Sequence, residues 1–108
     1  MGLLFYGSSE SPIHIPDRIL AHVKVVIATK LRRGESFTMS WRHSSDEVVG
    51  RSTIWIQPSI PLRFVFGSAE PEMLDPALLQ AYANSANSSG GLTLDIEVHD
   101  ASLGARTA

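Results

Sequence analysis

Hydrophobic and polar residues alternate in two different periods along the chain, and the longer period comes first. Between residues 18 and 33 the apolar side chains recur every three or four positions, which is typical of a helix that buries one side. Asp17 precedes this segment and offers a carboxylate to the first helical amides, while Gly34 follows it as a residue suited to a helix end. The pattern therefore predicts a helix whose buried stripe is Ile19, Leu20, Val23, Val26, Ile27 and Leu31.

Two short apolar runs, residues 3–6 and 13–15, flank a turn-rich spacer and predict a hairpin. After Gly34 the chain repeats with a period of two, which indicates strands with one buried face. The predicted strands are residues 3–6, 13–15, 36–42, 51–56, 62–66 and 92–98. Asp75 and Pro76 supply a helix cap and a favourable first helical residue, so a second helix is predicted over Ala77–Ala86. The predicted element order is therefore ββαβββαβ.

This order indicates an α+β fold in which two helices have six strands to cover. The economical arrangement is a two-layer sandwich, with both helices on one face of a mostly antiparallel sheet and the other face open. We expect one domain over residues 1–100 and a flexible C-terminal tail over residues 101–108.

Composition narrows the classes of protein that this chain can be. Its 108 residues suit a single domain, and its formal net charge of −2 excludes a generally polycationic protein. The absence of cysteine excludes disulfides and thiolate metal sites, and no cofactor motif is present. The sequence contains neither a secretory signal nor a membrane-spanning run, so we expect a cytoplasmic protein without membrane partners.

The open sheet face is the first candidate surface. If Phe37, Met39 and Trp41 face the helices, alternation places hydroxyl, arginine and tryptophan side chains on the opposite side. The candidate residues are Arg42, Arg51, Thr53, Trp55 and Arg63. Such a surface suits pairing with a second copy or a protein partner, stacking of nucleic-acid bases, or ordinary contact with solvent. Alternation alone leaves these three interpretations open.

A second candidate surface lies on the first helix, opposite its apolar stripe. The residues predicted there are Arg18, His22, Arg32 and Arg33, which suit either phosphate contacts or a solvated helix face. His43 stands near Asp46 and Glu47, a possible metal corner, although a polar loop explains the same residues. The serines fall in no Gly-x-Ser-x-Gly sequence, so the sequence predicts no catalytic residue.

Several longer stretches carry a family resemblance. They are residues 5–8, 20–22, 30–37, 50–55, 58–62 and 85–92. Together they resemble a family of small, uncharacterised actinobacterial single-domain proteins that often carry the label ATP-dependent DNA ligase, and the resemblance spans about residues 1–98. It implies no catalytic residues. Lys30 stands in the sequence Lys-Leu-Arg-Arg-Gly, which departs from the Lys-x-Asp-Gly that holds the nucleophilic lysine of such ligases.

These observations favour a non-enzymatic association module, most simply a homodimer formed through the open sheet face or an edge strand. The alternative is an accessory protein that works with nucleic acid, as the ligase label of the similar proteins implies. Both hypotheses depend on Trp55 and its neighbours lying on the uncovered side of the sheet.

Overall fold

The computed structural model describes residues 1–96 and contains six strands and two helices. In chain order the elements are β1 (Gly2–Tyr6), β2 (Ile13–Ile15), α1 (Asp17–Arg32), β3 (Phe37–Arg42), β4 (Arg51–Ile56), β5 (Leu62–Val65), α2 (Pro76–Ala86) and β6 (Leu92–Leu94). The α+β class and the predicted element order are confirmed. The last predicted strand, residues 92–98, is shorter than expected, because β6 ends at Leu94 and Asp95 and Ile96 are not part of it. Residues 97–98 and the tail predicted at residues 101–108 lie outside the described residues.

The strands form two sheets of three rather than one sheet of six. Sheet 1 has the order β2-β1-β5 and is antiparallel throughout. Sheet 2 has the order β4-β3-β6, in which β3 pairs antiparallel with β4 and parallel with β6. The prolines at positions 58 and 61 redirect the chain after β4, and β5 then pairs with β1 instead of extending sheet 2. Alternation reveals which face a strand buries, but it does not reveal which strand lies beside it.

One hydrophobic core joins both sheets and both helices. Sheet 1 contributes Leu4 and Ile15, and α2 contributes Ala86. The fully buried residues of α1 include Ile19, Leu20 and Val23, as its apolar spacing predicts. The contribution of sheet 2 is the largest and comprises Phe37, Met39, Trp41, Ile56, Leu92 and Leu94. The core therefore lies between α1 and the inner faces of the strands.

The two helix starts follow different chemistry although both carry aspartate. Asp75 caps α2 as predicted, because its side chain accepts a hydrogen bond from the Ala77 amide at 3.0 Å. Asp17 does not cap α1, since the helix begins at Asp17 itself and Pro16 occupies the cap position. Its carboxylate instead accepts hydrogen bonds from the amides of Gly67 and Ser68, at 3.0 and 3.1 Å. Asp17 thus fixes the loop that follows β5.

Candidate functional site

The outer face of sheet 2 is open, as alternation predicts. Met39 and Trp41 of β3 point into the core, and the Trp55 side chain on β4 leaves the sheet on the other side. Trp55 is 52% exposed, which is a large exposure for a tryptophan in a regular strand. No helix of the described chain covers it, so the geometric basis of both functional hypotheses is present.

The polar residues of this outer face are arranged in direct cross-strand pairs. Ser40 lies opposite Thr53, and their hydroxyl oxygens are 2.7 Å apart. Arg42 lies opposite Arg51, so two guanidinium groups leave neighbouring strands at the same level. Like charges directly opposite each other destabilise a strand pair. Within residues 1–96 neither arginine forms an ion pair that would offset this repulsion.

Strand β4 is an edge of sheet 2, and half of its backbone groups point away from β3. The Gly50 carbonyl accepts a hydrogen bond from the His43 amide at 2.9 Å, which places residues 50, 52, 54 and 56 in the ladder with β3. The amides and carbonyls of Arg51, Thr53 and Trp55 therefore point to the free edge. One of these groups is already used, because the Tyr6 hydroxyl donates a hydrogen bond to the Trp55 carbonyl.

Arg63 does not join this group of residues. It lies on β5 in sheet 1, where it is opposite Phe5 and its guanidinium stands 5.6 Å from the centre of the Phe5 ring. The sequence-based placement of Arg63 beside Trp55 assumed that β5 extends the sheet of β4. Because β5 pairs with β1, the structure separates Arg63 from the other four candidates.

The predicted basic face of α1 is only partly exposed. Arg32 and Arg33 are exposed at the end of the helix, while Arg18 is half-buried and forms an ion pair with Asp75 at 3.4 Å. His22, which was expected on the same exposed face, is fully buried instead. The second helix covers this flank of α1, and helical spacing alone cannot show where another helix packs. No continuous basic strip remains.

His22 connects the two helices through both of its ring nitrogens. Nδ1 is 2.6 Å from the Arg18 carbonyl oxygen, and Nε2 accepts a hydrogen bond from the Asp75 amide at 2.8 Å. A carbonyl only accepts and an amide only donates, so the hydrogen resides on Nδ1 and the ring is neutral. His22 therefore holds the start of α2 against α1 and is a structural residue.

A cleft of about 1150 Å³ opens on the inner side of the β3–β4 hairpin. Its polar lining includes His14, Arg42, His43, Glu47 and Ser52, and its apolar lining includes Pro12, Ile13, Trp41 and Ile96. Sequence reasoning did not identify this cleft because its walls come from the β1–β2 turn, the β3–β4 turn and the residues after β6. These segments are far apart in the chain and meet only in the fold.

Within the cleft, His43 is held at both ring nitrogens. Nδ1 is 2.9 Å from the Val48 carbonyl oxygen, and Nε2 is 2.7 Å from the Ser52 hydroxyl oxygen. The possible metal corner of His43 with Asp46 and Glu47 does not form, and residues 1–96 contain no group of three metal-ligating side chains. His43 and Ser52 are diagonal neighbours across these strands, since Ser52 lies opposite Trp41 and His43 opposite Gly50, and the sequence carried no signal for this pair.

Glu47 adds negative charge to the same wall of the cleft. The amide and the hydroxyl of Ser44 each donate a hydrogen bond to its carboxylate at 3.0 Å. These hydrogen bonds, supported by the charges of His43 and His14, lower the pKa of Glu47. The carboxylate is therefore ionised at neutral pH and is held by Ser44.

Lys30 is engaged by structural partners. Its ammonium lies 3.1 Å from a Glu35 carboxylate oxygen and donates a hydrogen bond to Asn87 at 2.8 Å. It also stands 5.7 Å from the centre of the Phe37 ring. The stem packs and the charged end is paired at the helix terminus, as expected of a lysine within an apolar arc.

No helix within residues 1–96 combines the length and apolar character needed to span a bilayer.

Comparison with known proteins identifies a family and nothing finer. No curated protein and no solved structure matches the chain. The family model of a domain of unknown function, DUF7882, matches residues 1–97. Because this match covers most of the chain, the protein belongs to the DUF7882 family.

Proposed function

We propose that this protein works by self-association, as a homodimer joined at the free edge of β4 and the adjoining outer face of sheet 2. The observation that supports it most directly is the open edge itself, which presents the backbone groups of Arg51 and Thr53 to solvent. Unpaired strand edges are templates for pairing with another chain. Native proteins usually protect them with prolines, bulges or covering elements.

The Tyr6 contact limits how a second copy can pair. Because Tyr6 occupies the Trp55 carbonyl, the free edge is available at Arg51 and Thr53. An antiparallel pairing with two-fold symmetry then places Thr53 opposite Arg51 of the second copy, and Arg51 opposite its Thr53. The result is a continuous six-stranded sheet. Such a pairing also satisfies backbone groups that an isolated chain leaves to water.

The same register brings exposed apolar side chains together. Counting outward from the symmetry axis, Trp55 lies opposite Val49 of the second copy. In the single chain Trp55 is 52% exposed and Val49 is 98% exposed. Mutual burial of these side chains supplies the apolar contact that backbone pairing alone lacks. A stable interface also needs about 800 Å² from each partner, so the outer face beside β4 must contribute.

Light scattering after size-exclusion chromatography tests this proposal with two matched lysine variants. We expect the wild-type mass to rise from 11.8 kDa towards twice that value with concentration. Thr53→Lys places a positive charge at the free edge, opposite Arg51 of the second copy, and should weaken dimerisation at least about 10-fold. Thr93→Lys makes the same change on β6, at the other edge of the same face, and should leave the dimer intact.

A wild-type mass that stays at 11.8 kDa up to about 1 mM would show that the edge does not associate. Equal loss of the dimer in both lysine variants would place the interface elsewhere on the outer face. Circular dichroism of each variant confirms that the fold is retained.

One specific observation favours a second candidate function, contact with nucleic acid. The Arg42 and Arg51 guanidinium groups repel each other across β3 and β4, and a phosphate placed between them would turn this repulsion into attraction. The nearby Trp55 ring could stack a base. This hypothesis also accords with the ligase label of the actinobacterial proteins that the chain resembles.

Fluorescence anisotropy with a labelled mixed-sequence oligonucleotide separates the two functions. If nucleic acid binds here, the affinity should fall steeply with salt, and Arg51→Gln should reduce both the affinity and the salt slope. Arg33→Gln is the matched control because Arg33 is an exposed arginine of α1, remote from β4 in sequence and outside sheet 2. Absence of salt-dependent binding would exclude this candidate and leave self-association unaffected.

A further inference from the structure

The hydroxyl of Ser52 and the imidazole of His43 form a close pair on the side of β4 opposite the side chains of Arg51, Thr53 and Trp55. Ser52 Oγ lies 2.7 Å from His43 Nε2, within reach for proton transfer. His43 Nδ1 lies 2.9 Å from the Val48 carbonyl oxygen. A nucleophile, a base and a group that orients the base are thus linked by consecutive hydrogen-bond contacts, as covalent catalysis requires.

These hydrogen bonds fix which nitrogen of His43 carries the hydrogen. The Val48 carbonyl can only accept, so Nδ1 is the donor and holds the ring hydrogen. In the neutral ring with its hydrogen on Nδ1, Nε2 carries a lone pair to which the Ser52 hydroxyl can donate. This is the tautomer in which histidine can take the proton of a serine. The imidazole therefore needs no rearrangement before it acts as a base.

The pair is mounted on a regular part of the hairpin. Ser52 belongs to β4 and lies opposite Trp41, whose side chain is 8% exposed. The His43 amide donates to the Gly50 carbonyl at 2.9 Å and extends the ladder by one residue. This backbone pairing and the hydrogen-bond contacts of both ring nitrogens hold the imidazole in place.

Both members of the pair line the cleft of about 1150 Å³, which is large enough for a small organic ligand. Ile13, Trp41 and Ile96 provide an apolar wall suited to an acyl chain. A hydroxyl–imidazole pair beside an apolar wall is suited to carboxylic esters.

We propose that Ser52 and His43 are a catalytic dyad that hydrolyses carboxylic esters bound in this cleft. Ser52 Oγ bonds to the carbonyl carbon as its proton passes to His43 Nε2, and the carbonyl electron pair moves to oxygen. The tetrahedral intermediate collapses, the bond to the alcohol oxygen breaks, and this oxygen takes the proton from Nε2. A water molecule then repeats the same steps on the acyl-serine, which releases the carboxylic acid and restores Ser52.

Glu47 assists this sequence as a positioning residue. While His43 holds the extra proton it is a cation, and the fixed carboxylate of Glu47 on the same wall stabilises that charge. Ser44 holds the carboxylate in place through two hydrogen bonds. Glu47→Gln keeps the side-chain shape and removes the charge. It should reduce the rate at which a fluorophosphonate probe labels Ser52 about 10-fold. It should also move the rising limb of the pH profile of that rate, which a purely structural role would not do.

A fluorophosphonate probe tests the dyad directly, because the activated serine displaces fluoride and retains the phosphonyl group. We expect one adduct per chain in the intact mass and its location on Ser52 after peptide mapping. Ser52→Ala should abolish that adduct, and His43→Gln should slow its formation at least about 100-fold. Release of 4-nitrophenol from 4-nitrophenyl butyrate should fall in the same variants.

Ser40→Ala is the matched control. Ser40 is also a half-buried serine of this hairpin with a hydrogen bond of 2.7 Å, but its partner is the Thr53 hydroxyl and not an imidazole. Its labelling rate should stay within about twofold of wild type. Circular dichroism and the Tm establish that each variant is folded.

Absence of an adduct in the folded wild type at millimolar probe would overturn the proposal, and so would equal labelling of Ser52→Ala. An equal loss of labelling in Ser40→Ala would also contradict the proposal, because the labelling would then depend on the hairpin as a whole and not on the Ser52–His43 pair. The dyad is scored by an adduct on Ser52 and self-association by the mass of the particle, so failure of the one and failure of the other are separable.

Discussion

Replacement of His22 tests how the two helices are joined. This side chain is fully buried, and it links the Arg18 carbonyl of α1 to the Asp75 amide at the start of α2. The nearby Arg18–Asp75 ion pair connects the same two helices at 3.4 Å, with side chains that are 29% and 44% exposed. The buried hydrogen bond and the partly exposed ion pair can be removed one at a time, which shows which of them holds α2.

The expected magnitudes differ enough to be resolved. His22→Ala leaves the Asp75 amide without its acceptor, which costs about 1–3 kcal/mol, and it opens a cavity that adds about 2 kcal/mol. We therefore expect a loss of about 3–5 kcal/mol in the free energy of unfolding. His22→Leu fills the space without restoring the acceptor, so its loss should be about 1–3 kcal/mol. Arg18→Ala removes a partly exposed ion pair and should cost less than about 1 kcal/mol.

Urea unfolding followed by tryptophan fluorescence measures these losses, because Trp41 is buried in the same core. The slope against urea must match among the variants for the free energies to be compared. If Arg18→Ala is as destabilising as His22→Ala, the ion pair and not the imidazole joins the helices. If His22→Ala loses less than about 1 kcal/mol, the hydrogen bond to the Asp75 amide contributes little.

Three further expectations concern stability. Trp41 is 8% exposed and Trp55 is 52% exposed. In urea unfolding Trp41→Ala should therefore cost about 3–5 kcal/mol, and Trp55→Ala about 1–2 kcal/mol at concentrations where the chain is monomeric. Similar losses in the two variants would contradict the assignment of faces. Gly91→Ala should lower the Tm far more than Gly90→Ala. Gly91 has a φ of +75°, and a β-carbon there would lie 2.7 Å from a β3 carbonyl oxygen, whereas a β-carbon at Gly90 has space. Burial raises the pKa of Tyr82 above 10.0, so the folded state keeps this proton to higher pH than the unfolded state, and the free energy of unfolding falls as the pH rises past 10. Tyr82→Phe should reduce the loss of this free energy between pH 9 and pH 11, measured by urea unfolding.

The elements were predictable where local chemistry decides them. Helix α2 begins at Pro76 after the Asp75 cap, and α1 ends at Arg32 before Gly34, whose φ is +72°. These signals act within one turn of the chain and need no knowledge of the rest of the fold. The inward and outward faces of β3 and β4 were predictable for a similar reason, because no bulge interrupts their alternation.

The sequence did not determine contacts between distant segments. It gave no indication that β5 pairs with β1, and Arg63 was therefore placed beside Trp55 in a single sheet. It placed His22 by its position on one helix, although the position of α2 decides its exposure. In both cases a local pattern was interpreted correctly, and the error arose from an assumption about which element lies beside it.

Self-association and ester hydrolysis can both use β4, because an edge strand has two faces and a free edge. Arg51, Thr53 and Trp55 present their side chains to the outer face and their backbone groups to the edge, while Ser52 between them points to the cleft. Alternation keeps the two sets on opposite sides of the backbone, so a second copy paired at the edge leaves the Ser52 side chain directed into the cleft. Pairing would also restrain the backbone of β4 and with it the hydroxyl of Ser52. Self-association therefore favours the rigidity that the dyad needs, although neither property requires the other.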